Sequence, residues 1–170
     1  MAKVLEGPGM GLMKKWGINV PNYVVVTSVD ELTRLGQANE WLKKSKLVAK
    51  AHEALGSRFK LGLVKIDLDF KAAEAATKEM IGRQVGSITV TQVIVSEMIP
   101  HKEEYYCAVK STREGSEILV ANCGGIEVES NWERDKRLCL EISRAPSPES
   151  LETLSKEAGF GGPLAKKMAE

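Results

Sequence analysis

The chain has few aromatic residues and no excess of charge of either sign. Phe, Tyr and Trp occur three times each, and 24 Lys and Arg residues stand against 23 Asp and Glu residues, which gives a net charge of +1. Proteins that bind nucleic acid normally carry a clear basic excess, and single-strand binding uses aromatic stacking platforms. The composition therefore excludes a general nucleic-acid binder, and we expect no nucleic acid among the partners.

Cysteines and long apolar runs are also scarce. Cys107, Cys123 and Cys139 are odd in number and form no Cys-x-x-Cys pair, which favours free thiols in a reducing compartment over disulfides or a zinc site. No apolar run approaches the ~20 residues of a membrane-spanning helix, and the N-terminus lacks the apolar core of a signal peptide. We therefore expect a cytoplasmic protein with no membrane partner.

The most informative stretch covers residues 47–68, where two predicted strands flank a short basic loop. Residues 47–50 form an apolar run that ends on Lys50, and residues 63–68 alternate apolar and polar side chains at the period of a strand. The loop between them is rich in small and basic residues: Gly56, Ser57, Arg58, Lys60 and Gly62.

A strand-end lysine that faces a flexible basic loop can enclose a polyphosphate. The ammonium group of Lys50 supplies a point charge, and the guanidinium of Arg58 supplies a planar fork of donors. Small residues let backbone N–H groups approach oxygen atoms. On these residues alone, a solvated hairpin with ordinary surface charge remains the alternative.

The N-terminal part predicts a helix. Leu12, Met13 and Trp16 have helical spacing, and Gly17 suits a left-handed residue at the helix end. The glycine-rich residues 7–11 resemble a phosphate loop only superficially, because they follow no strand and contain a proline. We therefore interpret them as the entry to this helix.

The next elements alternate between strand and helix. Residues 23–26 predict a buried strand, and Thr27 or Ser28 caps a helix in which Glu31 completes a capping box. Residues 70–81 predict a further helix, after the two strands and the basic loop. The expected apolar face of the capped helix comprises Leu32, Leu35, Ala38 and Leu42.

The second half predicts a meander of strands followed by helices. An apolar run at residues 88–99 leads into it, and a Pro-Ser-Pro linker at residues 146–148 ends it. A helix capped by Ser147 or Ser150 then extends to about residue 158. The expected strands of the meander lie at residues 105–110, 118–122 and 126–129.

The mixed order of elements predicts an α+β fold made of two α+β lobes. We expect the hinge between the lobes near residues 95–100. The final residues, 164–170, begin a helix and stop, which is the pattern of a truncated chain.

Several segments taken together resemble one family. WGINVPNYVVVTSVDEL, LVAK with SRFKLGLVKIDL, VIVSEMIPHKEEYYCAV, STREG and GGIEVE occur in this order. They resemble the ATP-grasp domains of succinyl-CoA synthetase β subunits and ATP citrate lyases, over residues 12–129. The words PH…EEYY, TREG and KLGLV are closer to the ATP citrate lyases, whereas the Gly-Gly motif is shared by both groups.

The resemblance implies an ATP-grasp fold, with two α+β lobes, a nucleotide cleft between them and the C-terminal part missing. It implies an N-terminal helix (residues 1–20) that packs on the second lobe. It implies a first lobe at residues 21–97 and the start of an incomplete second lobe at residues 98–170.

The resemblance also implies nucleotide-binding residues. Lys50 matches the strand-end lysine that holds ATP phosphate oxygens, and Arg58 matches the loop arginine. The family's Gly-Arg-Gly is Ser57-Arg58-Phe59 here, and Phe59 cannot adopt glycine-only backbone angles cheaply, so the loop is expected to close differently.

Three further positions match the adenosine site of the family. Glu97 and Ile99 match the hinge whose backbone carbonyl and N–H pair with the adenine edge. Glu104 matches the acid that accepts from the ribose hydroxyls, with an ordinary edge-strand charge as its alternative. Neither His52 nor His101 stands in the family's phosphohistidine motif, and we interpret both as surface or loop residues.

The implied function is that of the ATP-binding N-terminal part of an ATP citrate lyase. We expect the Mg²⁺ ligands and the citrate and CoA sites beyond this chain, and the phosphohistidine either beyond it or in a partner subunit. We therefore expect no catalytic or metal-binding residue here, no activity of this chain alone, and a hetero-oligomer. The alternatives are a β-subunit fragment of succinyl-CoA or citryl-CoA synthetase, and a non-catalytic nucleotide-binding or assembly module.

Overall fold

The structure, a computed structural model, describes residues 4–125 and 136–169. In chain order its elements are α1 (Glu6–Lys15), β1 (Tyr23–Val26), α2 (Val29–Ala38), α3 (Trp41–Lys44), β2 (Leu47–Ala51), β3 (Val64–Leu68), α4 (Phe70–Met80), β4 (Gln84–Val85), β5 (Ile88–Thr89), β6 (Val93–Glu97), β7 (Tyr106–Ser111), β8 (Gly115–Ala121), β9 (Lys136–Glu141), α5 (Pro148–Glu157) and α6 (Gly162–Met168). The chain divides into two compact units between Pro100 and His101, three residues after the lobe boundary expected from the sequence.

The first unit is built on a four-stranded antiparallel sheet. Its strand order is β1-β6-β2-β3, with Val25 opposite Ile94 and Lys50 opposite both Ile94 and Val64. The apolar β6 lies between β1 and β2, which agrees with its almost completely buried Val93 and Val95. The sequence predicted strands at the places of β1, β2 and β3, and an apolar run without an assigned strand at the place of β6.

Helices α2 and α4 contribute buried residues to the same core as the sheet. Leu32 of α2 and Met80 of α4 are fully buried, as is Leu42 of α3. Each fully buried side chain of this size stabilises the fold by about 1.5–3 kcal/mol relative to its exposed state. The expected apolar face of the first capped helix is thus shared between α2 and α3.

The helix beginnings follow their sequence signals. The Oγ of Ser28 accepts a 3.1 Å hydrogen bond from the N–H of Glu31, so the prediction of a cap here is confirmed with Ser28 as the capping residue. The carboxylate of Glu31 accepts from the N–H of Thr27 at 2.8 Å. At the start of α4, Asp69 caps in the same way, accepting from the N–H of Ala72 at 2.7 Å.

The strand β3 departs from simple alternation. Leu47 pairs with Leu68 whereas Ala49 pairs with Lys65, so β3 carries one residue more than β2 over this interval. Asp67 has a positive φ of 56°, as expected in a β-bulge. The bulge leaves Ile66 52% exposed, which a regular period-two strand did not predict.

Helix α1 contacts the first unit. It begins at Glu6 and includes the glycine-rich residues interpreted as the helix entry. The hydroxyl of Tyr23 donates to the carbonyl oxygen of Gly7 at 2.8 Å, and the N–H of Gly7 donates to Nε2 of His52 at 3.0 Å. Helix α1 thus belongs to the first unit, and the expected packing of residues 1–20 on the second lobe stays a prediction.

The second unit, from His101 onward, contains a three-stranded antiparallel sheet of order β7-β8-β9 and the helices α5 and α6. The strand expected at residues 126–129 lies outside the described residues, and β9 was not predicted. Within β9, Leu138 and Leu140 are partly buried, whereas the charged residues and Cys139 are exposed. The core of this unit comprises Ile118, Val120, Leu154, Ala158, Phe160 and Ala165.

No helix in the two described segments combines the length and the apolarity that crossing a membrane requires. The three cysteines are free thiols, as the sequence predicted.

Candidate functional site

Two cations predicted from the sequence lie close together in the first unit. Lys50 is on β2, where the burial pattern places Ala49 and Ala51 in the core and Lys50 on the other face. Arg58 is in the loop that joins β2 to β3. The side chains of Lys50 and Arg58 are 28% and 25% exposed, so both are sheltered but reachable from solvent.

A carboxylate of α1 bridges these two cations. Oε1 of Glu6 lies 2.6 Å from Nζ of Lys50, and Oε2 of Glu6 lies 2.9 Å from Nη2 of Arg58. Each carboxylate oxygen is therefore paired with a different cation. The sequence predicted Lys50 and Arg58 to share one anionic ligand, and in the structure they share the carboxylate of Glu6.

The two cations change the acidity of Glu6. Burial raises the pKa of the Glu6 carboxyl, but the hydrogen bonds and charges of Lys50 and Arg58 outweigh burial and hold that pKa below its usual 4.5. Glu6 is therefore ionised at neutral pH. No pattern in the sequence pairs Glu6 with these cations; the available signal was an acid in the first turn of the predicted N-terminal helix.

The loop holds Arg58 by backbone contacts. Nη1 of Arg58 donates to the carbonyl oxygen of Ala51 at 2.8 Å, and the carbonyl oxygen of Arg58 accepts from the N–H of Leu63 at 2.9 Å. The positive φ of the loop falls on Ser57 (51°) and Gly62 (68°), and Phe59 projects to solvent with 49% exposure. The loop thus accommodates Phe59 by placing its left-handed residues elsewhere.

A cavity of about 570 Å³ adjoins the three charged groups. Glu53 also lines it, but the Glu53 carboxylate accepts from the N–H and the hydroxyl of Thr91, both at 2.7 Å. Burial raises the pKa of Glu53, and the hydrogen bonds from Thr91 and from the backbone of Gln92 lower it below its usual value. The lining comprises Val4, Leu5, Glu6, Lys50, Glu53, Ala54, Leu55, Gly56 and Arg58.

His52 is a structural residue of this region. It lies in the loop that follows β2, but it is only 3% exposed and is therefore not a surface residue. Its Nε2 accepts from Gly7 at 3.0 Å, and its Nδ1 lies 3.0 Å from Oε1 of Gln92. This network assigns the proton to Nδ1, because Nε2 is the acceptor. No pattern in the sequence around His52 predicts its contact with α1.

The side chain of Glu97 is held at the end of β6. Its Oε1 accepts from the hydroxyl of Ser45 at 2.7 Å, and its Oε2 accepts from Nδ2 of Asn22 at 3.0 Å. The N–H of Glu97 donates to the carbonyl oxygen of Asn22 at 2.8 Å. Ile99 is 51% exposed. The adenine contacts expected of Glu97 and Ile99 involve backbone groups and stay a prediction.

Glu104 lies in the second unit. Its Oε1 is 3.0 Å from Nε2 of His101, and both side chains are about half exposed. The Oε2 of Glu104 lies so close to Gly125 that a Cβ at this glycine would overlap it. His101 is thus an exposed residue, as the sequence predicted, and the ribose role of Glu104 stays a prediction.

No group of three or more His, Cys, Asp or Glu side chains that could hold a metal ion occurs within residues 4–125 and 136–169. The candidate site in the first unit therefore consists of two cations, their shared carboxylate and a polar cavity. Such an arrangement can bind a phosphorylated ligand through charge-assisted hydrogen bonds.

Helices and antiparallel sheets in both units, with a cationic site in the first unit, define an α+β protein. Residues 3–170 match the family model of the ATP-grasp domain, and the chain therefore belongs to the ATP-grasp family. The expected α+β ATP-grasp fold is confirmed.

Among curated proteins, the chain is similar to ATP-citrate synthases. It is 37% identical over 130 residues to ATP-citrate synthase alpha chain protein 1 of Arabidopsis thaliana, with 74% of this chain and 31% of that protein covered. It is 29% identical over 135 residues to the ATP-citrate synthase of Homo sapiens, with 76% and 12% covered. The chain thus spans about a third of the length of the plant relatives.

The chain is also similar to solved structures. The ATP citrate lyase from Methanothrix soehngenii, in complex with citrate and coenzyme A, matches with 27% identity and a TM-score of 0.62, covering 87% of this chain and 36% of that one. A dinucleotide-forming acetyl-coenzyme A synthetase of Ca. Korarchaeum cryptofilum, in complex with coenzyme A and Ca-AMPCP, matches with a TM-score of 0.75, covering 98% and 76%. Its identity of 19% shows similarity of fold alone.

Proposed function

We propose that the chain binds ATP and forms the ATP-grasp part of an ATP citrate lyase. That enzyme uses ATP and CoA to convert citrate to acetyl-CoA and oxaloacetate, through a phosphohistidine and citryl-CoA. The observation that carries the nucleotide proposal is the convergence of Lys50 and Arg58 on one carboxylate at the edge of a cavity. Two cations that share one anion at hydrogen-bond distance can also share the oxygens of a polyphosphate.

In this proposal the two cations neutralise phosphate charge. Lys50 contributes a compact ammonium group, and Arg58 contributes a guanidinium that is already oriented by the carbonyl oxygen of Ala51. Because both side chains are largely shielded from water, their attraction to phosphate is less screened than at an open surface. They would bind and orient the phosphates of ATP for transfer to a histidine.

The remaining adenosine contacts belong to the same proposal. The backbone groups of Glu97 and Ile99 would pair with the adenine edge, and Glu104 would accept from the ribose hydroxyls. Neutral backbone contacts of this kind contribute roughly 0.5–1.5 kcal/mol each and mainly orient the base.

The substrates and the phosphohistidine of the reaction would come from outside this chain. Citrate and CoA are substrates of the complete enzyme, and the phosphohistidine would come from a partner subunit or domain in a hetero-oligomer. Within residues 4–125 and 136–169 there is no group of three or more His, Cys, Asp or Glu side chains that could hold a metal ion, and we propose that the Mg²⁺ ligands are supplied from outside this chain. Three free thiols support a location in the reducing cytoplasm.

A β-subunit fragment of succinyl-CoA or citryl-CoA synthetase, which would share the ATP-dependent first steps, is the second candidate. The 37% identity to a citrate-specific plant protein favours the citrate enzyme over it.

The test measures ATP and AMP binding to the 170-residue chain by calorimetry. We expect Lys50→Ala to weaken the binding of ATP by about ten- to a hundredfold, as for a lost charge-assisted hydrogen bond. The affinity for AMP should stay nearly unchanged. Glu104→Ala should weaken both nucleotides to a similar extent, because its assigned contact is to ribose.

Lys60→Ala is the matched control, because it removes a charge from the same loop at an exposed position outside the cavity lining. It should leave the preference for ATP over AMP unchanged. If Lys50→Ala also left that preference unchanged, the phosphate role of Lys50 would be wrong.

A further inference from the structure

The carboxylate of Glu6 holds Lys50 and Arg58 without using all of their donors. An ammonium group has three N–H donors, and Lys50 gives one of them to Glu6. A guanidinium has five, and Arg58 gives Nη2 to Glu6 and Nη1 to Ala51. In the part of the chain that the structure describes, both cations therefore keep donors for a second acceptor.

The position of Glu6 is itself determined by the fold. The next residue, Gly7, is buried, donates its N–H to His52 and accepts at its carbonyl from Tyr23. A Cβ at Gly7 would lie 2.9 Å from Cγ2 of Val25, so α1 approaches β1 as closely as a glycine permits. The first turn of α1 is thus anchored to β1 and to the residue that follows β2, the strand that carries Lys50.

We propose that Glu6 is a positioning residue of the phosphate site, which holds Lys50 and Arg58 side by side at the cavity while their remaining donors bind phosphate. The inference rests on the proposed ATP binding. Without Glu6, two long side chains would have to be ordered when the nucleotide binds, at a cost in conformational entropy. In protein kinases a helix glutamate holds a phosphate-binding strand lysine in the same manner.

The opposite role is also testable. A carboxylate between two cations can compete with phosphate, and removing it would then tighten ATP binding. Glu6→Asp and Glu6→Gln separate the two roles. Asp keeps the charge but is one methylene too short to bridge both cations, whereas Gln keeps the length but loses the charge.

The experiment is calorimetric titration of the 170-residue chain and its variants with ATP and with AMP. We expect both Glu6→Asp and Glu6→Gln to weaken ATP binding about five- to tenfold, which corresponds to the cost of ordering one or two long side chains. The affinity for AMP should change less than about twofold. In the Lys50→Ala background the effect of Glu6→Asp should shrink, because one of the two positioned cations is gone.

Glu149→Gln is the matched control, since Glu149 is an acid in the first turn of α5 and has no part in the cationic site. It should leave both titrations unchanged. Circular dichroism checks that the variants fold, and the isosteric Gln carries the test if Asp does not.

The outcomes separate this inference from the proposed function. Tighter ATP binding by Glu6→Gln, or an unchanged ATP preference in both Glu6 variants while Lys50→Ala loses it, overturns the positioning role and leaves ATP binding standing. If the unaltered chain showed no preference for ATP over AMP, both would fall.

Discussion

The N–H of Gly7 donates a 3.0 Å hydrogen bond to Nε2 of His52, across 45 residues of sequence. The same imidazole lies 3.0 Å from Oε1 of Gln92 through its Nδ1. One buried ring therefore connects α1, the end of β2 and the segment that precedes β6. This contact brings the first turn of α1, with its acid, to the cationic site.

The close approach at Gly7 predicts a difference between two glycines of the same helix. Gly→Ala in a helix normally stabilises by about 0.5–1 kcal/mol, and Gly9 has open space around its missing Cβ. At Gly7 the added methyl meets the stiff side chain of Val25, and such overpacking costs about 1–3 kcal/mol. We expect Gly9→Ala to stabilise the chain and Gly7→Ala to be less stable than Gly9→Ala. Urea unfolding of the two variants measures this difference, and equal stability would contradict the docking of α1.

A second prediction concerns Gly36 in α2. A Cβ at Gly36 would overlap the ring of Phe70, the first residue of α4. We expect Gly36→Ala to destabilise the first unit by about 1–3 kcal/mol through overpacking. Phe70→Leu removes the far end of the ring, so the double variant should recover part of that loss. Thermal unfolding of the two single variants and the double variant tests the coupling; additive effects would rule out this contact.

The Glu6 carboxylate predicts a pH dependence of stability. Its pKa in the folded chain lies below the usual 4.5, because Lys50 and Arg58 outweigh its burial. A carboxyl whose pKa is lowered by folding stabilises the fold above its unfolded pKa, and this contribution is lost as pH falls through the folded pKa. Between neutral pH and about pH 3, the unaltered chain should therefore lose more stability than Glu6→Gln. Urea unfolding at several pH values measures this, and identical pH profiles would disprove the contribution of Glu6.

A fourth prediction concerns the activity of this chain by itself. The described residues contain no metal-binding cluster, and the chain spans about a third of the length of its plant relatives. We expect the purified 170-residue chain alone to form no acyl-CoA and to release no ADP in response to Mg²⁺ and citrate. ADP release above the level of a Lys50→Ala control would show that the chain carries more of the chemistry than proposed.

Local patterns along the chain were sufficient for most of the secondary structure. The Ser28 cap follows from a serine three residues before a glutamate, and the strand β2 follows from an apolar run of the right length. These signals act between neighbouring residues, so they are present in the sequence before any tertiary contact forms. The cationic pair was predictable for the same reason, because Lys50 is the last residue but one of β2 and Arg58 lies in the loop that follows.

The tertiary structure decided the contacts that span long sequence distances. Glu6 is 44 residues from Lys50 and 52 residues from Arg58, and no local pattern pairs them. Hydrophobic periodicity likewise does not predict the burial of His52, the bulge at Asp67 or the position of α1. Each depends on how separate elements pack, since the environment of a side chain is set by residues distant in sequence. The sequence alone thus predicted that Lys50 and Arg58 lie near one another, and only the packing of α1 against β1 determined which carboxylate holds them.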